Sequence, residues 1–320
     1  MSALRPDLAG ASLVVVNYGS SALLEENLAP LARAVDGLAV VVVDNRSTDA
    51  ERSRVLALGE REGWSIVTPP DNEGFGTGCD LGVERARSLG ARRHVLLNPD
   101  ATMTATALAG LVAAVRDDAD LLAAPRIERP DGSTWSAGSD LYLDDGRVRS
   151  RRRRPDDTDP ERVRPWLTGA CLALSDDLWQ RAGGFDDAYF LYWEDVDLSQ
   201  RVVAAGGRLG LLDDVVAVHA EGGTQGTGTA GGAGAASAGE AKSATYYRYN
   251  IRNRAVYAVR HLGDADLRRW HRATPRVAWE VLLQGGRRQF LTSPGTLAVG
   301  ARAVLEARRI VRDELRRRRG

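Results

Sequence analysis

The stretch "LAVVVVDNRSTD" (Leu38–Asp49) opens with six apolar residues and then turns abruptly polar at Asp44. So short a run, dominated by β-branched valine, reads as a strand buried on both faces, as strands of parallel sheets are. The polar turn leads into a helical pattern over Ala50 to Glu62. Upstream, "SLVVVNY" (Ser12–Tyr18) follows the same plan, with a helical stretch behind it through Leu23, Leu24, Leu28 and Leu31. Downstream come a third strand, "WSIVTPP" (Trp64–Pro70), and the turn "DNEGFGTG" (Asp71–Gly78) into a helix reaching about Leu89. A fourth strand, "RHVLLNPD" (Arg93–Asp100), and a helix, "ATALAGLVAAVRD" (Ala105–Asp117), complete the series. This alternation specifies an α/β fold with a Rossmann-like, mostly parallel, doubly wound sheet.

After Pro125 the rhythm breaks. "RIERPDGSTWSAGSD" (Arg126–Asp140) reads as an antiparallel excursion around a Pro-Asp-Gly turn, and "RVRSRRRRPDDTDPERVRP" (Arg147–Pro165) as an exposed charged loop. A strand, a helix and a glycine-closed turn follow in "WLTGACLALSDDLWQRAGGFDDAYF" (Trp166–Phe190). "YFLYWEDVDLSQR" (Tyr189–Arg201) then starts a helix to Ala205, and "GGRLGLLDDVVAVHAEGG" (Gly206–Gly223) adds strand. The expected organisation is a catalytic-type domain at 1–223, a low-complexity Gly/Ala-rich loop at 224–241 and an Arg-rich, mostly helical C-terminal extension at 242–320.

The chain has 320 residues, 43 basic and 43 acidic. Residues 242–320 hold 19 basic and 6 acidic residues, so an excess of +13 there balances −13 in the remainder. The basic end suggests contact with an anionic surface. Cys79 and Cys171 show neither zinc spacing nor a disulfide framework, which fits a reducing cytoplasm. The N-terminus lacks a signal-peptide pattern, and no apolar run approaches the roughly 20 residues that span a bilayer.

In an open parallel sheet, ligands bind outside the carboxyl ends of the strands. The early strands end in "NYGSS", "DNRSTD", "DNEGFGTG" and "NPDAT", a polar rim suited to base, ribose and diphosphate. Asp44 is either a ligand acceptor or a turn former. Gly74, Gly76 and Gly78 precede a helix and would admit phosphate to its amino end, or simply serve a tight turn. A dinucleotide site is excluded by position, because the first strand is followed by "NYGSSALL" and not by G-x-G-x-x-G. Asp100 at a strand end is suited to a hard divalent cation, or to capping the next helix. Glu194 and Asp195 open a helix, where acids are favoured by roughly 0.3–1 kcal/mol. The aromatic residues Phe185, Tyr189, Phe190, Tyr192 and Trp193 beside them suit a sugar, and desolvation there would raise a carboxylate toward general-base duty. Asp197 pairs more naturally with Arg201, its i+4 neighbour. His219 ends a strand next to glycine-rich chain, where it is either structural or a ligand to metal or phosphate.

The ordered set "VVNY", "VVDNRSTD", "NEGFGTGCDLG", "LLNPD", "TGACLALSDDLWQRAGGFDDAYFLYWEDVDLSQR" and "HAEGGT" resembles the family-2 inverting glycosyltransferases of the GT-A fold. It is most similar to the rhamnosyltransferase-like branch that extends bacterial cell-wall or surface polysaccharides. The resemblance covers Ser12 to Thr224, with an echo in "YYRYNIRNR" (Tyr246–Arg254). It implies that Asn17 and Tyr18 line the nucleotide pocket and that Asp44 contacts the base. Asn72 and Gly74 would lie against the nucleotide-sugar, and Asp80 would face it. Asn98 and Asp100 stand where the family carries Asp-x-Asp, with Asn98 replacing the first acid. Asp100 and His219 would ligate Mg²⁺ or Mn²⁺. Asp195 would be the catalytic base supported by Glu194, Gly169 and Ala170 would leave room for the acceptor, and Trp193 would help shape its site.

The expected function is transfer of a sugar from a nucleotide-sugar, dTDP-rhamnose as best guess, to a glycan or lipid-linked acceptor. A catalytically silent scaffold of the same fold is the non-enzymatic alternative, and Asp100 and Asp195 argue against it. Nucleotidyl transfer lacks a basic diphosphate signature near the first turn. Val304, Ile310, Val311 and Leu315 among the terminal arginines suggest an amphipathic helix at the inner membrane face, or one packed on a partner subunit. Nothing accompanies that charge as a nucleic-acid recognition motif. A homo-oligomer stays open.

Overall fold

A computed structural model describes residues 5–220, 242–293 and 295–320, without the side chains of 291 and 292. The Gly/Ala-rich loop expected at 224–241 lies outside the described residues. The chain runs β1 (Ala11–Asn17), α1 (Ser21–Leu23), a π-helical turn (Leu24–Leu28), α2 (Ala29–Arg33), β2 (Ala39–Asp44), α3 (Asp49–Glu62), β3 (Ser65–Val67), α4 (Phe75–Ser88) and β4 (Arg93–Leu97). β5 (Ala101–Met103), α5 (Ala105–Asp117), β6 (Leu121–Glu128) and β7 (Thr134–Ser136) follow. Next are β8 (Ser139–Tyr142), β9 (Arg147–Ser150), β10 (Val163–Trp166), β11 (Cys171–Ser175), α6 (Asp176–Ala182), α7 (Glu194–Ala204) and β12 (Arg208–His219). The C-terminal part is helical: α8 (Ala244–His261), α9 (Asp264–Leu283), α10 (Gln289–Thr292) and α11 (Gly295–Arg317).

The main sheet has the order β3-β2-β1-β4-β11-β6-β12-β5, with β7 beside β6. The valine runs form its parallel half: β1 lies between β2 and β4, and Asn17 sits opposite Asp44 at their carboxyl ends. β11 enters antiparallel between β4 and β6, and β5 pairs antiparallel with β12. Every residue of β1 is buried, as a strand covered by helices on both faces requires. Threonine and serine end the turns: Thr48, Thr104 and Ser175 accept from the amides of Glu51, Ala107 and Leu178, each cap contributing about 1 kcal/mol.

The stretch through Leu23 to Leu31 is helical as expected, with a π-turn over Leu24–Leu28 just before Pro30, whose missing N–H cannot join the i→i−4 ladder. One local expectation is corrected. The charged loop at 147–165 in fact contributes β9 and β10, which flank β8 in a three-stranded antiparallel sheet. Its arginines have tertiary partners: Arg154 Nε donates to fully buried Asp140 at 2.7 Å, and Arg162 meets Asp266 of α9 at 2.9 Å. Local composition cannot reveal partners so distant in the chain.

The C-terminal helices share a core with this small sheet and with the segment before α7, including Leu141, Tyr189, Trp193, Val196, Tyr257 and Trp270. The four apolar residues behind the amphipathic reading of α11 are used within the fold: Val311 is buried, and Val304, Ile310 and Leu315 pack against the same core. Among the described residues no helix is long and apolar enough to cross a membrane.

A Ser-His-Asp alignment also appears, with Ser12 Oγ 2.8 Å from His94 Nδ1 and His94 Nε2 3.2 Å from Asp176. Ser12 and His94 are both fully buried at the amino ends of β1 and β4, so no substrate can reach the hydroxyl. The trio is a satisfied core network.

Candidate active site

The carboxyl ends of β1, β2 and β4 bring the predicted rim together. Asn45 is its brace: Nδ2 donates to Asn72 Oδ1 at 3.0 Å and to Gly74 O at 2.9 Å, while Oδ1 accepts from Glu73 N at 3.0 Å. Asn72 Oδ1 also accepts from Gly74 N, so Asn72 is a loop staple as well as a rim residue. Asp44 is fully buried, with Oδ2 held by Arg52 Nε at 2.6 Å and Oδ1 unpartnered. Opposite it, Asn17 Oδ1 accepts from Ser20 N and Asn17 Nδ2 is buried without a partner. An orphaned acceptor and an orphaned donor thus lie on adjacent strands, where burial without a hydrogen bond costs about 1–3 kcal/mol each. Tyr18 is exposed at the same edge.

The glycine cluster does something other than cradle phosphate. Gly74 has φ +85°, and a Cβ on it would lie 2.2 Å from Phe190 O. Phe75 N, at the amino end of α4, donates to that same carbonyl at 3.0 Å. A Cβ on Gly76 would come within 2.9 Å of Phe185 Cβ, and one on Gly78 within 2.9 Å of Val16 Cγ1. The amino end of α4 is therefore closed by the aromatic loop, and its glycines permit close packing. Asp80, one turn on, accepts from Phe185 N at 3.0 Å; burial raises its pKa to about 7.

Asp100 and His219 converge. β5 pairs with β12, the Ala220 amide donates to Asp100 O, and His219 Nε2 lies 3.0 Å from Asp100 Oδ1, both side chains being buried. His219 Nδ1 is buried without a partner, and the ring packs on Trp135 with centroids 4.9 Å apart. This donor set fits a divalent ion: ligands at about 2.1 Å in adjacent octahedral positions stand about 3 Å apart. Among the described residues no third His, Cys, Asp or Glu joins them as a group.

Asp195 sits in the first turn of α7. Its Oδ2 accepts from Gly169 N at 2.9 Å and its Oδ1 from Val196 N at 2.8 Å. Desolvation raises its pKa to about 6 against those two bonds. A Cβ on Gly169 would stand 3.5 Å from Asp195 Cβ, so glycine leaves that face of the acid open. The carbonyl of buried Ala170 accepts from Asn98 N at 3.0 Å, which links the β4 end to the Asp195 side. Glu194 is buried with Oε2 unpartnered, and desolvation followed by repulsion from Asp195 raises its pKa well above the usual range. Of the two acids, Glu194 keeps the proton and Asp195, with two amide donors, ionises first.

A stability signature follows. The unfolded Glu194 titrates near 4.5, and its folded pKa is raised, so its favourable contribution is complete below 4.5 and is lost as pH rises toward the folded value. Each pH unit in that window costs the wild type up to about 1.4 kcal/mol. Glu194→Gln carries no such loss. The melting temperature of the variant should gain on wild type as pH rises above about 4.5; a constant difference would show that Glu194 is ionised in the fold.

The aromatic run divides. Phe185, Tyr189 and Trp193 are buried, while Phe190 and Tyr192 are half-buried. Trp193 packs on Tyr257 and Trp270, so its ring serves the core beneath the site. Asp197 pairs with Arg201 at 2.6 Å, as its i+4 spacing predicts, and also meets His261 at 2.6 Å. Sequence reasoning missed Asn45 and Arg52. Asn45 stood beside Asp44 in the strand-end turn, and the i+8 position of Arg52 on α3 offered no signal of its own.

This mostly parallel sheet and its order are those of the GT-A class of glycosyltransferases. Two solved structures share the fold. One is the mannosyltransferase PcManGT of Pyrobaculum calidifontis in complex with GDP-Man and Mn²⁺ (TM-score 0.52, 16% identity, 98% of this chain and 88% of that one). The other is GalNAc-T7 with UDP, GalNAc and Mn²⁺ (TM-score 0.52, 14% identity), where the match covers 95% of this chain and 54% of that one. The chain belongs to glycosyl transferase family 2, whose model matches residues 12–171. Among curated relatives it is similar to the N-acetylglucosaminyl-diphospho-decaprenol L-rhamnosyltransferase of Mycobacterium tuberculosis, strain CDC 1551 / Oshkosh (28% identity over 218 residues, 61% of this chain and 70% of the relative). It is also similar to the low-salt glycan biosynthesis hexosyltransferase Agl10 of Haloferax volcanii (23% over 215 residues, 65% and 66%).

Proposed function

We propose that this family-2 glycosyltransferase moves a sugar, rhamnose from dTDP-rhamnose, to a hydroxyl of a lipid-linked glycan with inversion at the anomeric carbon. The observation that carries the reading is the linkage of the two acids. Gly169 N binds Asp195, and the adjacent Ala170 O binds Asn98 N, two residues before Asp100. One short bridge thus ties the proposed base to the proposed donor side. The unpartnered Asp44 Oδ1 and Asn17 Nδ2 complement the N–H and C=O of a thymine or uracil edge. The mycobacterial relative's name supports rhamnose and a diphospholipid acceptor. Residues 1–223 would form the transferase unit and 242–320 a helical extension bracing its catalytic loop.

In this mechanism each Asp195 oxygen has an amide donor and a further lone pair. Asp195 takes the acceptor hydroxyl's proton as that oxygen bonds to the anomeric carbon and the bond to the diphosphate oxygen breaks. One displacement inverts the centre. Asp100 and His219 would hold Mg²⁺ or Mn²⁺, whose charge offsets that of the departing nucleoside diphosphate. Neutral Glu194 avoids adding a second charge beside the base.

Calorimetry with dTDP, UDP, GDP and NAD, each with and without Mn²⁺, tests the reading. We expect dTDP to bind best, with Mn²⁺ tightening it at least tenfold in wild type and less than twofold in Asp100→Ala and His219→Ala. Binding of NAD alone, or an equal Mn²⁺ effect in the variants, would reject the donor and metal assignments.

A further inference from the structure

We propose that Asn253 of α8 is a positioning residue for catalysis, holding the two left-handed residues that aim Asp195. The inference rests on the reading of Asp195 as the base. Tyr192 and Trp193 have φ of 65° and 76°, consecutive positive values without a glycine, immediately before Glu194 and Asp195. Side chains make this region unfavourable by about 1–2 kcal/mol per residue, so the surrounding structure must over-determine it. Asn253 supplies that constraint. It is fully buried, and its Nδ2 donates to Leu191 O at 2.9 Å and to Tyr192 O at 2.8 Å.

The amide's orientation is set by a third contact, because Asn253 Oδ1 accepts from Arg252 Nη1 at 2.6 Å. Arg252 in turn donates to Ala188 O at 3.0 Å and meets Glu306 of α11 at 3.1 Å. Phe190 O is held by Phe75 N. The carbonyls of Ala188, Phe190, Leu191 and Tyr192 are thereby tied to α8 or to α4. Trp193 O then accepts from Asp197 N at 2.9 Å, the first bond of α7, which puts Asp195 Oδ2 on Gly169 N. Within the helical extension Asn253 is the side chain that holds the Leu191 and Tyr192 carbonyls, although no atom of Asn253 is among the groups assigned to substrate.

The test is a mutant cycle with Asn253→Asp and Asn253→Ser, each alone and combined with Asp195→Asn, in the full chain. Asn253→Asp loses its neutral two-donor amide, while Asn253→Ser keeps one donor and covers failure of the first variant to fold. Turnover is measured with dTDP-rhamnose and a polyprenyl-diphospho-GlcNAc acceptor, alongside dTDP–Mn²⁺ calorimetry and a crystal structure of each single variant. We expect kcat to fall at least tenfold while dTDP affinity stays within twofold. In the Asp195→Asn background the same substitutions should change the residual rate less than twofold. The structures should show Tyr192 or Trp193 leaving positive φ and the Gly169–Asp195 bond broken.

A kcat within twofold of wild type, or equal losses in both backgrounds, overturns the positioning role and leaves the base assignment standing. Asp195→Asn at full rate instead removes the base assignment, and this inference with it. If wild type does not turn over that substrate pair, the substrate assignment fails alone. The variant structures then still decide, because unchanged φ values with the Gly169–Asp195 bond intact reject the role of Asn253.

Discussion

Asp195→Asn should lower kcat by about 10³-fold, within the range that loss of a general base produces, and leave dTDP–Mn²⁺ affinity unaltered. Asparagine keeps the shape of the side chain but cannot take a proton from the acceptor hydroxyl. It also turns an NH₂ toward Gly169 N or Val196 N, where the carboxylate now accepts from both. The pH profile supplies an independent check. The active form is the ionised one, and burial places its pKa at about 6. The wild-type rate should therefore rise with pH through about 6 and then level off, and the variant's residual rate should lack that limb. A variant with the full rate, or with the same acid limb, would reject Asp195 as the base.

Gly74→Ala should destabilise the fold by about 2–5 kcal/mol, combining a glycine-only backbone region with overpacking. The backbone at Gly74 has φ 85° and ψ 174°, and a Cβ there would stand 2.2 Å from Phe190 O and 2.9 Å from Phe190 C. These are backbone atoms of the loop that precedes Asp195, so relief requires moving the loop. We expect denaturant unfolding to show the loss of stability and steady-state assays to show a fall in kcat as well. Gly90→Ala, another positive-φ glycine but with nothing within 4 Å of its Cβ, is the control for backbone strain alone. Equal losses at the two positions would mean that contact with Phe190 adds nothing.

How much of the site was legible follows from how locally each part is determined. Valine runs broken by Asp and Asn declare buried strands with polar carboxyl ends, because neither feature needs a distant partner. Asp44 and Asp100 were found for that reason, and Asp195 because it opens a helix beside an aromatic run. Glu194 was found with them, though its retention of a proton depends on complete burial. Trp193 looked available to a sugar from its neighbours, and only packing against Tyr257 and Trp270 shows its ring in the core. Gly74, Gly76 and Gly78 signalled close approach, but the approaching groups are the Phe190 carbonyl, the Phe185 side chain and Val16 of β1, each more than 60 residues away. The Arg147–Pro165 stretch looked like solvated loop because its acidic partners lie on β8 and α9.

By itself, then, the sequence determined the parallel half of the sheet, its polar edge and the identities of the acids on it, since hydrophobic runs and strand-end turns are read within one segment. Tertiary structure alone decided three things. It brought Asp100 to His219 across the β5–β12 pair. It divided the acids into a protonated Glu194 and an ionisable Asp195 through burial and two amide donors. It placed Asn253 beneath the loop that aims them. Each depends on groups distant in the chain becoming neighbours, and desolvation, close packing and directed hydrogen bonds exist only once they have met.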